Sequence, residues 1–268
     1  MRSLWTAASG MTAQQLNVDT ISNNITNVDT TAHKRERLEF KSLLYQTMER
    51  ASLDDSDTGK PVNLQVGLGV RPIATSRMFA QGGLKRTEIQ TDVGIQGEGF
   101  FMVRTGEDEI SYTRDGSFKI SLGDGGNNLV TSEGYFVLSA DGEPITLPQN
   151  IPAKDIIIGE NGAISYMQNG QVQNLGVSIG LAQFANPQGL EATGGNLYIV
   201  TPASGEPILE NDGEVSKSKV LQGFLETSNV NIAEEMINLI VAQRAYELNS
   251  KAITTSDEML QQANNLKK

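Results

Sequence analysis

Two helical stretches stand at opposite ends of this chain, and everything between them follows a different rule. In the first, Leu4, Met11, Val18 and Ile25 recur every seven residues, and Ala7, Gln14, Ile21 and Val28 form a second line with Gln14 as its polar break. Apolar spacing held over more than three heptads predicts a coiled-coil-like helix. The second runs from Asn231 to Leu266. Asn231 is a capping residue with Glu234 three positions on, the pattern of a capping box. One apolar stripe here is Val241, Ala245, Leu248, Ala252, Met259 and Leu266, with polar Thr255 and Gln262 in register. Another is Ile232, Met236, Leu239, Tyr246, Ile253 and Leu260. Two stripes call for two partners, or for one partner and the rest of an assembly. A helix over residues 231–266 would reach about 54 Å, long for docking on one small domain.

The middle carries most of the glycines and seven of the eight prolines. Short β-branched or aromatic runs, such as FFMV at 100–103, YFVL at 135–138, III at 156–158 and LYIV at 197–200, are separated by Asp-Gly and Asn-Gly pairs at 115–116, 141–142, 161–162 and 169–170. Such runs with such turns predict an antiparallel all-β domain. Between this region and the first helix, residues 49–63 are polar, acidic and broken by Gly59 and Pro61, the pattern of an extended loop or hairpin. The fold class expected is α+β. The terminal helices pair as a coiled-coil-like domain of residues 1–45 plus 226–268, with an extended loop at 46–66 and a central antiparallel β domain at 67–225.

Composition excludes several chemistries. The 21 lysines and arginines stand against 32 acids, a net charge of −11, which makes the chain a poor ligand for phosphate backbones. There is no cysteine and one histidine, so thiol chemistry and a clustered His/Cys metal site are excluded. The glycines at 94, 97 and 99 are spaced GxxGxG, not GxGxxG, and a β-type run follows them; they read as a strand-to-strand turn. Asp54, Asp55 and Asp57 lack the spacing of an EF-hand and read as a solvated loop. The run His33-Lys34-Arg35-Glu36-Arg37 reads as a solvated or interfacial face. No catalytic, metal-binding or cofactor-binding residue is expected. The N-terminus lacks the apolar run of a secretory signal, and no segment spans a bilayer.

Several stretches carry a resemblance. SNNITNV at 22–28, DVGIQGEGFFMV at 92–103, YTRDGSF at 112–118, LETSNVNIAEE at 225–235, QRAYELNSKA at 243–252 and MLQ at 259–261 together resemble bacterial flagellar rod and hook proteins. The tail is most similar to the distal rod type. One departure is Ala32-His33, where that family usually has a glycine followed by an aromatic, so the turn leaving the first helix is expected to differ locally.

The resemblance implies a distal-rod structural subunit without enzymatic activity that self-assembles into a hollow helical tube, transmits torque from motor to hook and serves as an export channel. It implies partners in further copies of the chain, the proximal rod and hook proteins, the surrounding basal-body rings and the flagellar type III export apparatus. The implied location is the periplasmic portion of the basal body, reached without a cleaved signal. The interface residues expected are Leu4, Met11, Val18, Ile21, Ile25 and Val28 on the first helix. On the second they are Ile232, Met236, Leu239, Val241, Tyr246, Leu248, Ile253, Met259 and Leu260. Gln261, Gln262, Asn264 and Asn265 are expected to face the channel, and Asp54, Asp55, Asp57, Lys60 and Pro61 to stiffen the rod. Alternative readings are another rod or hook protein, or a β protein that binds cell-wall carbohydrate; the 6% aromatic content and single Trp5 speak against the last.

Overall fold

The computed structural model describes residues 2–49, 63–106, 109–123, 126–148, 151–168, 170–212 and 216–266. The chain divides into two units, one of Met1–Thr26, Glu36–Arg77 and Asn231–Lys268, the other of Asn27–Arg35 and Met78–Val230.

The first unit contains helix α1, Arg2–Thr26, and helix α2, Ile232–Asn265. Asn231 caps α2 as its type and place predict: its backbone is extended and its side chain accepts from the Ala233 N–H at 3.1 Å. Two contacts between the helices fix their direction. Gly10 lies so close to Asn249 that a Cβ on it would sit 2.9 Å from the Asn249 amide nitrogen. Asn24 reaches Glu235. The 14 positions from Gly10 to Asn24 match the 14 from Asn249 back to Glu235, so the helices run antiparallel, two heptads between the contacts.

Strand Glu36–Ser42 pairs antiparallel with Val70–Arg77, and Tyr45–Glu49 with Leu64–Gly67. The Val70 N–H points at the Ser9 hydroxyl of α1 at 3.4 Å. Gly69 holds φ at +119°, and a Cβ there would fall 2.2 Å from that oxygen, so glycine is required on both counts. Small residues at Ala7, Ser9, Gly10 and Ala13 therefore let α1 be approached by a strand and by a helix. Among the described residues no helix is long and apolar enough to cross a membrane.

The second unit is built on a ten-stranded sheet. Its centre is Phe100–Arg104, paired antiparallel with Ile110–Thr113, Phe136–Val137 and Leu181–Gln183. Side chains alternate across a strand. Phe101 and Val103 therefore enter one apolar cluster with Val93, Ile95, Phe118, Val137 and Ile145. Phe100 and Met102 enter another with Tyr112, Leu138, Phe184 and Tyr198. Burial on both faces explains why FFMV reads as a continuous apolar run. Aromatic edges pack on faces in the second cluster, as between Tyr112 and Phe184 at 4.9 Å. A three-stranded meander, Ile156–Ile158, Ala163–Gln168 and Gln171–Ser178, turns at the Asn-Gly pair of 161–162 and has Gly170 at φ +78° before its last strand; residue 169 lies outside the described residues. Gly97 and Gly99 stand in the turn between strands Val93–Gln96 and Phe100–Arg104, while Gly94 lies inside the first of them, paired with Leu221.

Candidate functional site

Two features stand apart from the apolar clusters: an apolar band on α2, and sets of buried polar side chains, one within each unit.

On α2 the buried residues are Glu235, Ala242 and Ser256. They share one heptad line with Asn249, the residue that meets Gly10. Large apolar residues lie elsewhere on the helix and are exposed: Met236, Ile237, Ile240, Val241, Leu248 and Met259, each between 54% and 68%. Burying a Leu, Ile, Val or Met side chain contributes ~1.5–3 kcal/mol when complete. These six, about 60% open, therefore leave on the order of 5–10 kcal/mol unrealised in a single molecule.

In the first unit Asn24 ends α1 inside a polar knot. Its Oδ1 accepts from the Glu36 N–H at 2.9 Å, and its Nδ2 donates to the Glu36 carbonyl at 2.8 Å and to Glu235 Oε2 at 3.4 Å. An amide carries donor and acceptor side by side, so it copies one rung of a β ladder against the first residue of strand Glu36–Ser42. Glu235 lies in the first turn of α2, where the helix dipole favours an anion. Glu36 in turn pairs with Arg77.

In the second unit the Glu226 carboxylate is wholly buried. Lys34 Nζ lies 2.6 Å from one oxygen, which also accepts from the Gly82 N–H at 2.8 Å; Arg114 Nε lies 3.3 Å from the other. Gly82 comes close enough because it has no side chain, since a Cβ would stand 1.9 Å from the Thr227 carbonyl. Lys34 also donates to the Ala80 carbonyl at 2.9 Å. Burial pushes the Lys34 ammonium below its ordinary pKa, against the pull of Glu226 and with the push of Arg114. Arg114 is lowered by burial too, with Glu226 opposing. Its guanidinium lies 5.5 Å from the Phe100 ring centre.

Three residues along, Asn229 stitches separate segments. Its Oδ1 accepts from the Arg35 N–H at 2.8 Å, and its Nδ2 donates to the carbonyls of Met78 and Ala80 at 2.7 and 3.0 Å. Ala32 donates its N–H to the Glu226 carbonyl while holding φ at +57°. It is an alanine in the left-handed conformation that glycine adopts freely.

Three family descriptions match. "Flagella basal body rod protein" covers residues 4–34, "Flagellar hook protein FlgE/F/G D1 domain" residues 94–166, and "Flagellar basal body rod FlgEFG protein C-terminal" residues 221–266. Over full length the chain is 48% identical to flagellar basal-body rod protein FlgG of Borreliella burgdorferi, covering 100% of this chain and 99% of that one. It is 46% identical to the FlgG of Caulobacter vibrioides and 38% to that of Bacillus subtilis, each over 100% of both chains. This chain belongs to the flagellar basal-body rod FlgG family. It is a structural rod protein, not an enzyme.

In this rod protein Leu4, Met11, Val18 and Ile25 on α1 are half-buried and Ile21 is buried; Val28, expected on the same helix, lies two residues past its end and is half-buried there. On α2 the apolar residues separate by face. Leu239, Ile253 and Leu260 are half-buried, while Ile232, Met236, Val241, Tyr246, Leu248 and Met259 are exposed. Gln261, Gln262, Asn264 and Asn265 are exposed in the last turns of α2. Asp54, Asp55, Asp57, Lys60 and Pro61 lie outside the described residues.

One expectation is corrected. In the run 33–37, read as a solvated or interfacial face, Arg37 is exposed but Lys34 is 1% exposed and His33 9%, because Glu226, 192 residues on, supplies the charge that lets Lys34 be buried inside the subunit. Asn24, Lys34, Arg114, Glu226 and Asn229 escaped sequence reasoning as site residues. For Asn24, Arg114, Glu226 and Asn229 the only signal was membership of the stretches that carried the resemblance; Lys34 stood only in the charged run 33–37.

Proposed function

We propose that copies of this chain stack into a hollow helical tube, the distal rod of the flagellum, which carries torque from motor to hook and through which other chains are exported. The exposed band on α2 supports this reading most directly. Those side chains gain their burial energy only against sister copies, in non-closing contacts that extend a filament. The half-buried line of α1 and the Leu239–Ile253–Leu260 line of α2 form the coiled-coil-like pair within each subunit. Ile232, Met236, Val241, Tyr246, Leu248 and Met259 meet neighbours.

Gln261, Gln262, Asn264 and Asn265 face the lumen, where uncharged polarity avoids trapping passing chains of either sign. The segment holding Asp54, Asp55, Asp57, Lys60 and Pro61 braces against a neighbour and limits sliding between subunits. The proximal rod and hook proteins are met at the two ends of the tube, and the basal-body rings around its periplasmic portion. The chain arrives through the flagellar type III export apparatus.

The test replaces Val241 and Leu248 by lysine and follows sedimentation and electron micrographs at rising protein concentration. The wild type is expected to form tubes. The V241K/L248K variant is expected to stay monomeric at the same concentration, with the near-ultraviolet circular dichroism of the β unit unchanged. Tubes formed equally well by the variant would overturn the reading.

A further inference from the structure

The meander of the second unit ends on strand Gln171–Ser178, and among the described residues no strand pairs with its outer edge. Gln171 faces Gln168 and Asn174 faces Ser165 without a break in register. Leu175 and Val177 pack on the core, and the Ser178 carbonyl accepts from the Ala140 N–H at 3.1 Å. The open edge is therefore that of residues 171–175, of which Gln171, Val172, Gln173 and Asn174 are exposed. Val172 lies opposite Met167, and this apolar pair is 60% and 46% open. An unpaired edge offers a row of backbone donors and acceptors to any extended chain, and proteins usually guard it with charge, proline, a bulge or brevity. The two ends of the ten-stranded sheet are guarded in this way. Thr146–Leu147 is two residues long and runs into Pro148, and Glu191–Gly194 carries a charge and a register shift. Residues 171–175 carry no charge, no proline and no bulge through Asn174.

The sequence around this edge is unusual in a second way. Residues 161–190 contain no Asp, Glu, Lys, Arg or His, although 20% of the chain is charged and about six charges would be expected there. Each copy bears a net charge of −11, so two copies repel, and a surface buried between them is cheapest when it carries no charge to desolvate. We propose that the free edge of Gln171–Ser178 is a joint between copies, where a sister molecule lays an extended segment along residues 171–175 and continues the sheet. Backbone hydrogen bonds hold the added segment, and Met167 and Val172 are covered with it. Charge favours a sister over a basic partner: the chain has 32 acids with which to attract one, and places none here. The added segment is not the same strand of the neighbour, because antiparallel pairing of a strand with its own copy closes a two-fold dimer and stops growth. The joint deepens the filament reading above and rests on it.

The test compares dilute full-length monomer with tubes by hydrogen exchange, quenched, dissociated and read amide by amide by nuclear magnetic resonance. In an antiparallel strand alternate N–H groups point to opposite edges. The amides of 171–175 aimed at the free edge are expected to exchange quickly in the monomer and at least ~10-fold more slowly in tubes. The V172K/Q173K variant probes the same edge by charge. Two added lysines change the net charge from −11 to −9, which away from a contact eases repulsion and leaves tube growth unchanged or easier. Within the joint they guard the edge, and the concentration needed for tubes is expected to rise at least ~10-fold. The melting temperature of the monomer is expected to stay within about 5 °C of the parent. V172T, neutral and similar in shape, is expected to form tubes within ~2-fold of the parent's concentration. Tubes whose 171–175 amides exchange as fast as in the monomer, V172K/Q173K tubes at the parent's concentration or below, or a closed dimer that protects these amides without growing would each overturn the joint. Failure of the filament reading looks different: the parent chain forms no tubes at all, and the joint falls with it.

Discussion

Glutamine at position 226 would take away the one anion that Lys34 and Arg114 share while leaving the shape of the side chain almost unchanged. Removing one partner of a buried ion pair costs ~3–5 kcal/mol, because the remaining charge is stranded. Here the stranded group has an escape. Neutralising a lysine of pKa 10.5 at pH 7 costs about 5 kcal/mol at 1.36 kcal/mol per pH unit. Burial has already lowered the Lys34 value, so release of the proton is cheaper than that and caps the loss. E226Q is therefore expected to destabilise the β unit by about 3–4 kcal/mol. K34M acts differently. Glu226 keeps Arg114 and the Gly82 N–H, the Ala80 carbonyl keeps Asn229, and a desolvated ammonium is gone. Its expected cost is about 1–2 kcal/mol. The K34M/E226Q double variant strands only Arg114 and is expected to fall about 2 kcal/mol short of the sum of the single losses.

The pH dependence separates this account from simple loss of packing. A lysine whose folded pKa lies below its unfolded value gives up its proton in the folded state first. The unfolded state then binds more protons, and stability rises with pH between the two values. In the wild type that window ends at 10.5 and opens at the folded value, which burial lowers and Glu226 partly holds up. In E226Q that support is missing, the folded value falls further, and the rise is expected to begin at lower pH. Urea unfolding followed by near-ultraviolet circular dichroism of the buried Tyr112 and Tyr198 reads the β unit, while the fluorescence of Trp5 in α1 reads the helical unit. Equal losses in E226Q and K34M, strict additivity in the double variant, or an E226Q stability that falls from pH 7 to pH 9 would refute the reasoning.

Two further substitutions probe single positions by the same urea titration. At Ala32, the left-handed backbone costs an L-residue roughly 1–2 kcal/mol and a β-branched one more. A32V is expected to lose about 2–3 kcal/mol, while A32G stays within about 1 kcal/mol of the parent, since strain relief is offset by a lost buried methyl and a freer unfolded chain. At Asp115, burial raises the carboxyl pKa above 3.8, with Asp92 adding to it and the Ser117 hydrogen bonds and Lys119 opposing. A raised carboxylate contributes stability below its unfolded pKa and loses it as pH rises through the folded one. D115N keeps an acceptor for the Ser117 N–H; it is expected to be more stable than the parent at pH 7, with the advantage vanishing below pH 3.8.

What could be read in advance was local. Heptad spacing announces α1 and α2, Asn231 announces where α2 starts, and FFMV with its flanking glycines announces the central strand. Each signal sits within a few residues of the element it specifies. The polar knots are different, because their logic is completed only across the fold. Lys34 looks solvated until Glu226 is brought beside it, and Asn24 is one more asparagine until Glu36 offers it a backbone donor and acceptor. No element was read for Glu36–Ser42, whose apolar residues Leu38 and Phe40 alternate too briefly to be told from chance.

The facing of the helices was hidden for a related reason. A search for large apolar residues finds the Val241–Leu248–Met259 stripe first, and in the single molecule that stripe is exposed. The line turned inward is Glu235, Ala242, Asn249 and Ser256, set against the small residues of α1. Close approach of two backbones selects for small side chains, which carry almost no hydrophobic signal. It is because the helices meet through small and polar groups that the large apolar side chains of α2 are left over, and a surface left over in this way is one that only another molecule can cover.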